Sequence, residues 1–493
     1  MSATGVTPTF ELFIGGQAQP GRQGVHRPLL NPATNLPFAS VAVGDTEDAR
    51  LAMETAQRAF ETSDWASDDG SRRVRALTKL AQLVETNTNE LARLETENMG
   101  KPFRESRGDI GYVVRTLEYV AGLADKIEGE TIPVPGGRLD YTIREPLGVT
   151  VHLAPWNYPL LLSVRSVAPA LAAGNAVVLK PASLTPLTAL RFAQLAHEAG
   201  IPDGILNVIV GDGGVVGEAL VLDPRCRSVS FTGSLEVGRR IAELAARRLL
   251  PTTLELGGKS PVIVLTDADL DRAAKGISYG IFGNAGQMCW AGSRLLVAQP
   301  IAEELLHKVK TIAEGLRLGP GSEKEVDMGP LVSRDQQERV SGFVAGAKED
   351  GAKVLTGGRT PTNPKLAAGN FHDPTILTDV RPEARVFQEE VFGPVLSVAT
   401  FDRPEEAIEL ANRTRYGLFA AIWTKDLSAA HTLARQFDAG MVAVNEAPNT
   451  FPQTPFGGFK ESGIGFEQGR RITDLYTRRK NVMVRLESPR PPK

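Results

Sequence analysis

Cysteine is almost absent from this chain: Cys226 and Cys289 are the only two among 493 residues. Two thiols so far apart make no disulfide framework, which agrees with a reducing compartment. Histidine is scarce too, with six in all and no H-x-x-x-H pair. No Cys/His cluster at ligand spacing accompanies them, which argues against a structural or catalytic metal. Neither sign of charge dominates: 55 Lys and Arg against 58 Asp and Glu leave a formal charge of −3. That balance excludes a basic nucleic-acid binder. No apolar stretch could cross a bilayer without Pro, Asn or Arg interrupting it, and the N-terminal "MSATGVTPTFELF" lacks a charged-then-apolar signal pattern. A cytoplasmic protein without a membrane partner is therefore expected. There is no 20–50 residue repeat and no low-complexity tract, so a solenoid is not expected either.

What is present points to a large α/β protein. Hydrophobic residues make up 42% of the chain, and at roughly 150 residues per domain the length allows about three units. Residues 47–127 read as helix-rich, with apolar positions at helical spacing in "RVRALTKLAQLVETNTNELARLETENMG" and a glycine stop at Gly100. From 147 short apolar runs alternate with helical stretches: "GVTVHLA", 160–172, "AVVLK", 186–199, "ILNVIV", 214–222, "SVSF", 235–249, "TTLEL". That rhythm implies a parallel sheet with helices on both faces, binding ligands at the carboxyl ends of its strands. A second series follows Pro261, with strands at "VIVL", "LLVA" and near 395–401, 418–424 and 441–445, and helices over 268–281 and 301–315. Two parallel-sheet lobes with a cleft between them are expected. The isolated strands "GRLDYTIREP" and "RRKNVMVRLE" should pair with each other or across a subunit boundary, as a small β oligomerisation element.

Cys289 lies in "NAGQMCW". A lone cytosolic cysteine is more often buried filler than a nucleophile, but Gly283 and Gly286 allow a tight backbone approach around this one. Cys226, at the entry to a strand, has no such setting and reads as core. A thiolate nucleophile needs an oxyanion site, a base and an acceptor for what leaves. Two helix N-termini following strands offer phosphate sites for such an acceptor: "GDGGVVG" beginning at Gly211, and "FTGS" through the amides of Gly233 and Ser234. A cysteine hydrolase built on Cys289, Glu255 and Asn157 is the rival reading, and it leaves those helix ends without a task.

Seven segments, "APWNYP", "LKPAS", "FTGS", "LELGGKSP", "GQMC", "EEVFGPV" and "PFGGFKESG", stand in the order found in the NAD(P)-dependent aldehyde dehydrogenase superfamily. The chain resembles that family over essentially its whole length. The resemblance implies a Rossmann-like cofactor domain at 1–130 and 147–256, a catalytic domain at 257–455, an oligomerisation element at 131–146 and 475–493, and a homodimer or homotetramer. It implies Cys289 as the nucleophile toward a small-molecule aldehyde, with NAD or NADP as hydride acceptor. The Asn157 carboxamide and the Cys289 amide would hold the oxyanion, at ~3–4 kcal/mol per donor. Glu255 would be the base for thioester hydrolysis, best served by an apolar setting that raises its pKa, with Gly257 and Gly258 giving it room. Lys180 would meet the adenosine ribose, Glu390 the nicotinamide ribose, Phe392 the ring side, and Trp156 the cleft wall. By residue type alone, Asn157 could be a turn residue and Glu255 a salt-bridge partner.

Two positions depart from the family pattern. Ser183 stands where strictly NAD-using relatives often carry Glu, and Ser beside Lys180 would tolerate the 2′-phosphate of NADP. Arg165 falls two helical turns after Asn157, on the same face. In relatives an Arg there accompanies semialdehydes with a distal carboxylate and also benzaldehyde-like substrates; by residue type it reads as half of an internal ion pair. Tyr158, Leu161, Trp290 and Phe456 would line an aromatic mouth suited to bulky or aromatic aldehydes.

Overall fold

The short apolar runs after 147 form a parallel sheet because each is buried on both faces: every position of Val149–Leu153 and Ala176–Lys180 is buried. In the computed structural model, which describes residues 8–486, this sheet has eight strands. Their order is Gly463–Ile464, Thr252–Glu255, Cys226–Thr232, Val149–Leu153, Ala176–Lys180, Leu206–Val208, Leu12–Ile14 and Gln17–Gln19. The five central strands are parallel, with Leu153 opposite Lys180 and Thr232 opposite Glu255. Strand order reverses at Val149–Leu153, so a crevice opens where its carboxyl end and that of Cys226–Thr232 diverge. Asn157 and Ser234 follow those two ends directly.

The second sheet runs Lys353–Thr356, Thr375–Thr378, Val395–Phe401, Arg294–Ala298, Pro261–Val264, Phe419–Trp423 and Met441–Val444. It meets the crevice with its amino ends: Gly258, Cys289, Glu390 and Tyr416 all shortly precede strands of this sheet. The carboxyl-end expectation thus holds for the first sheet only. Arg138–Pro146 and Thr477–Arg485 pair antiparallel along their whole length, from Thr477 opposite Pro146 to Arg485 opposite Arg138, with Thr131–Ile132 on the far edge. The end of the expected oligomerisation element, 487–493, lies outside the described residues.

Several details differ from the sequence reading. The helical run over 73–100 is two helices, Ser71–Thr86 and Thr88–Met99. Asn87 breaks it by donating its side-chain amide back to the Leu83 carbonyl at 2.7 Å, a local bond that competes with helix continuation. Gly100 does end the second helix, with φ of 98°. Before residue 47, where no element was anticipated, Thr9–Phe10, Leu36–Ala42 and His26–Asn31 make a small sheet. Residues 456–474, assigned to neither lobe, return to the first sheet through Gly463–Ile464.

Candidate active site

The helix Leu270–Phe282 delivers the chain to a tight turn in front of Cys289. Asn284, Ala285 and Gly286 are all left-handed, with φ of 47°, 53° and 72°. Gly286 is obligatory, because a Cβ there would sit 2.1 Å from the Gly393 carbonyl oxygen. Gly283 is not: its φ is −55° and an added Cβ would meet nothing closer than 3.8 Å. The glycines after Glu255 make room for other groups than the one expected. A Cβ on Gly257 would strike the Glu390 carboxylate at 2.3 Å, and one on Gly258 would strike the Cys289 carbonyl at 2.3 Å.

Cys289 lies where two cavities meet. One is a cleft of about 670 Å³ between the sheets, walled by Trp156, Asn157, Ser234, Glu255, Glu390 and Phe392. The other is a tunnel of about 460 Å³ reaching Cys289 from the opposite side, walled by Tyr158, Leu161, Arg165, Tyr279, Trp290 and Phe456. Cys226, by contrast, is sealed in the first core with its thiol pushed up to about 12.

The electrostatics around the sulfur follow from burial. Glu255 is 2% exposed and neither carboxylate oxygen has a hydrogen-bond partner. Burial therefore holds its carboxyl well above the usual range, with Arg165 pulling the other way. The Cys289 thiol is likewise pushed up to about 12 by burial, against the pull of Arg165. Asn157 donates one amide hydrogen to the Gln287 carbonyl at 3.0 Å, leaving the second N–H of the same group. Arg165 is half of a buried ion pair: its Nε donates to Glu467, whose other oxygen accepts from Ser230 at 3.2 Å. Its guanidinium lies 4.2 Å over the Phe456 ring, and Nη2 has no partner. Trp290 packs edge-on against Phe456 at 5.3 Å.

Sequence reasoning missed Glu467, and it missed the charged group behind Tyr158. There Lys101 lies 3.8 Å over the Tyr158 ring and bonds Asp109 at 2.7 Å. A buried Arg in an apolar helix signals that a counter-ion exists. Which of 58 carboxylates supplies it depends on the tertiary fold.

On the cofactor side, Glu390 accepts the Gly258 amide at 3.0 Å, and burial raises its carboxyl to about 7. Phe392, held at a φ of 60°, meets Trp156 edge-on at 5.2 Å. Ser234 caps the helix Leu235–Ala246, whose first turn opens into the cleft. Two expected phosphate donors are otherwise engaged. The Gly233 N–H is spent on the Glu255 carbonyl at 3.0 Å. After Gly211, the turn Gly213–Gly217 is capped by Asp212, which accepts the Gly214 amide at 2.8 Å and puts a negative charge where a phosphate was expected. Gly211 instead offers its carbonyl to the Ser183 hydroxyl at 2.7 Å. Lys180, its ammonium lowered to about 8 by burial, bonds the Pro181 carbonyl at 3.3 Å. A cleft of this size with a helix N-terminus, a carboxylate at Glu390 and an aromatic pair fits a nicotinamide dinucleotide.

Residues 20–482 match the aldehyde dehydrogenase family. The chain is 41% identical to betaine aldehyde dehydrogenase of Bacillus subtilis (strain 168) over 473 residues, covering 96% of each chain. It is 44% identical to phenylacetaldehyde dehydrogenase of Pseudomonas fluorescens over 482 residues, covering 96% of this chain and 95% of that one. Among solved structures, the NAD+ complex of aldehyde dehydrogenase from Bacillus cereus superposes with a TM-score of 0.95 at 41% identity, covering 97% of each chain.

Proposed function

The chain belongs to the aldehyde dehydrogenase family, and from that premise we propose that it oxidises an uncharged bulky or aromatic aldehyde to the carboxylic acid through a thioester on Cys289. Cys289 at the junction of cleft and tunnel is the observation that carries this, since aldehyde and cofactor can then approach one sulfur from opposite sides. The Cys289 thiol gives its proton to solvent, and the thiolate sulfur bonds the aldehyde carbon. The new oxyanion is met by the free N–H of Asn157 and the Cys289 amide. As the oxygen reforms its double bond to carbon, hydride leaves the carbon, and a bound NAD or NADP would supply the acceptor for it. Glu255, unpartnered and buried, then removes a proton from water, and the water oxygen displaces sulfur to release the acid and restore the thiol. Glu390 would accept the nicotinamide ribose hydroxyls, and the helix end at Ser234 would face the pyrophosphate. The cofactor lobe spans 1–130 and 147–256, with 257–455 as the catalytic lobe. A hydrolase would leave the cleft without an occupant.

Tyr158, Tyr279, Trp290 and Phe456 give the tunnel its aromatic character. Of the charges lining it, Asp109 is paired with Lys101, Arg165 with Glu467 and Arg104 with Asp327, while Glu105 and Arg115 line it as well. The pairing of Arg165 weakens the semialdehyde reading, although its free Nη2 keeps that reading open to test. A panel of benzaldehyde, phenylacetaldehyde, succinate semialdehyde and betaine aldehyde, followed at 340 nm, should favour the first two in kcat/KM. A charged aldehyde far ahead of both would overturn the assignment. Ser183 in place of a carboxylate three residues after Lys180 supports use of NADP at least as well as NAD, with Asp212, which acts on the Lys180 ammonium, as the opposing charge. An overwhelming NAD preference in kcat/KM would refute it.

Apolar residues exposed on the three-stranded sheet, among them Leu139, Ile143, Met483 and Val484, support a homodimer or homotetramer assembled through that element.

A further inference from the structure

We propose that Glu105 is a positioning residue for the nucleophile: its carboxylate clamps the left-handed turn Asn284–Gly286 and so fixes where Cys289 and Asn157 stand. The proposal rests on the reading of Cys289 as nucleophile. Asn284 and Ala285 are consecutive non-glycine residues at φ of 47° and 53°, a conformation that persists only where surroundings over-determine it. Most of the bonds that hold the turn are made within the site itself. Asn284 donates its side-chain amide to the carbonyls of Asn157 and Gln287 at 3.0 and 3.2 Å. Gln287 returns a bond to the Asn284 carbonyl at 3.0 Å, and Asn157 reaches the Gln287 carbonyl at 3.0 Å. These bonds tie the oxyanion amide to the turn as one unit, without fixing the unit to the rest of the molecule.

Glu105 supplies an anchor from outside the turn, its carboxyl raised to about 7 by burial. It projects from the helix Phe103–Ala121, and its Oε2 accepts the backbone N–H of Asn284 at 3.0 Å. The bond closes on the first strained residue of the turn, and it is the stronger kind in the ionised fraction of Glu105. Without it the Asn284 N–H loses its acceptor beside the tunnel. The Gln287 side chain adds a second, neutral anchor by accepting the Val332 amide at 2.9 Å. Glu105 also lines the tunnel, so a direct contact with long substrates is the competing role that a test must separate.

The variants E105A, E105Q and A285G/E105A decide between them, read by iodoacetamide alkylation of Cys289 and by turnover of a two-carbon aldehyde too short to reach residue 105. Cys226 is sealed in the core, so alkylation of the folded protein reports Cys289. In E105A, alkylation and kcat should fall together by about tenfold or more, with KM for the cofactor within about twofold. E105Q keeps an acceptor oxygen at the same place and should recover most of the loss. A285G/E105A should recover part of it, because glycine adopts the left-handed turn without steric cost. An E105A enzyme that alkylates and turns over at the unaltered rates, or that loses only its affinity for long aldehydes, overturns the clamp. Should E105A not fold, A285G/E105A decides: regained folding and alkylation support the clamp, and continued unfolding overturns it. C289A run alongside keeps the two readings apart. If C289A still oxidises aldehyde, the nucleophile assignment falls; if C289A is dead while E105A alkylates normally, the clamp alone falls.

Discussion

At the scale of single residues, burial sets the chemistry of the site. A thiol pushed up to about 12 is scarcely ionised near neutrality, so reactivity must climb with the thiolate fraction. Iodoacetamide inactivation of the cofactor-free protein should rise about tenfold per pH unit across the neutral range, since the group is being titrated from below its pKa. A rate that levels off near neutral pH would show that the thiol is not held up by burial. As the proposed base Glu255 would work only when ionised, and its carboxyl is raised, so hydrolysis should fail as pH drops through that raised value and not through the ordinary carboxylate range. Glu255→Gln should lower steady-state turnover by about 10²–10⁴ and still release a burst of one reduced cofactor per site in stopped flow, because hydride leaves before water attacks. Loss of the burst together with the turnover would remove Glu255 from the hydrolytic step.

Between elements, the Arg165–Glu467 pair joins the helix Pro159–Ala172 to the segment that returns to the first sheet. Both side chains are almost fully buried, at 3% and 0% exposure, so removing one partner strands the other. Arg165→Met or Glu467→Gln alone should each cost ~3–5 kcal/mol, seen as a lower urea midpoint. Arg165→Met with Glu467→Gln should cost clearly less than the sum; additive losses would mean that the two charges do not compensate each other. The sequence showed Arg165 as a residue in need of an explanation. It could not show Glu467, three hundred positions away, because the pairing exists only once the helix and the returning segment are folded together. Gly257 and Gly283 carry the same lesson from the other side. Their spacing from the reactive residues was visible, yet what each glycine makes room for, or that Gly283 makes room for nothing, depends on which backbone passes nearby.

Across the whole molecule, two sheets meet with opposite polarity. Carboxyl ends of the first and amino ends of the second face one crevice, so Asn157 and Ser234 arrive from one lobe and Cys289 and Glu390 from the other. The third sheet stands apart and exposes Met483 and Val484, neighbours that point to opposite faces of one strand. Both faces thus carry apolar surface needing cover. Met483→Lys with Val484→Lys should shift sedimentation toward smaller species with little change in far-UV circular dichroism. Unchanged sedimentation would take this sheet out of the assembly.

Cys289, Asn157 and Glu255 came as candidates from the family resemblance, whereas the sequence by itself determined the alternation of strand and helix and the glycine stop at Gly100. Those are local properties, fixed by periodicity, turn chemistry and residue type within a few positions. Only the tertiary structure decided that the Gly233 amide is spent, that Asp212 occupies the turn after Gly211, that Glu467 neutralises Arg165 and that Glu105 reaches the Asn284 turn. Each of these is a contact across long sequence separation, where distance and burial set the energy, and neither is written in the order of residues.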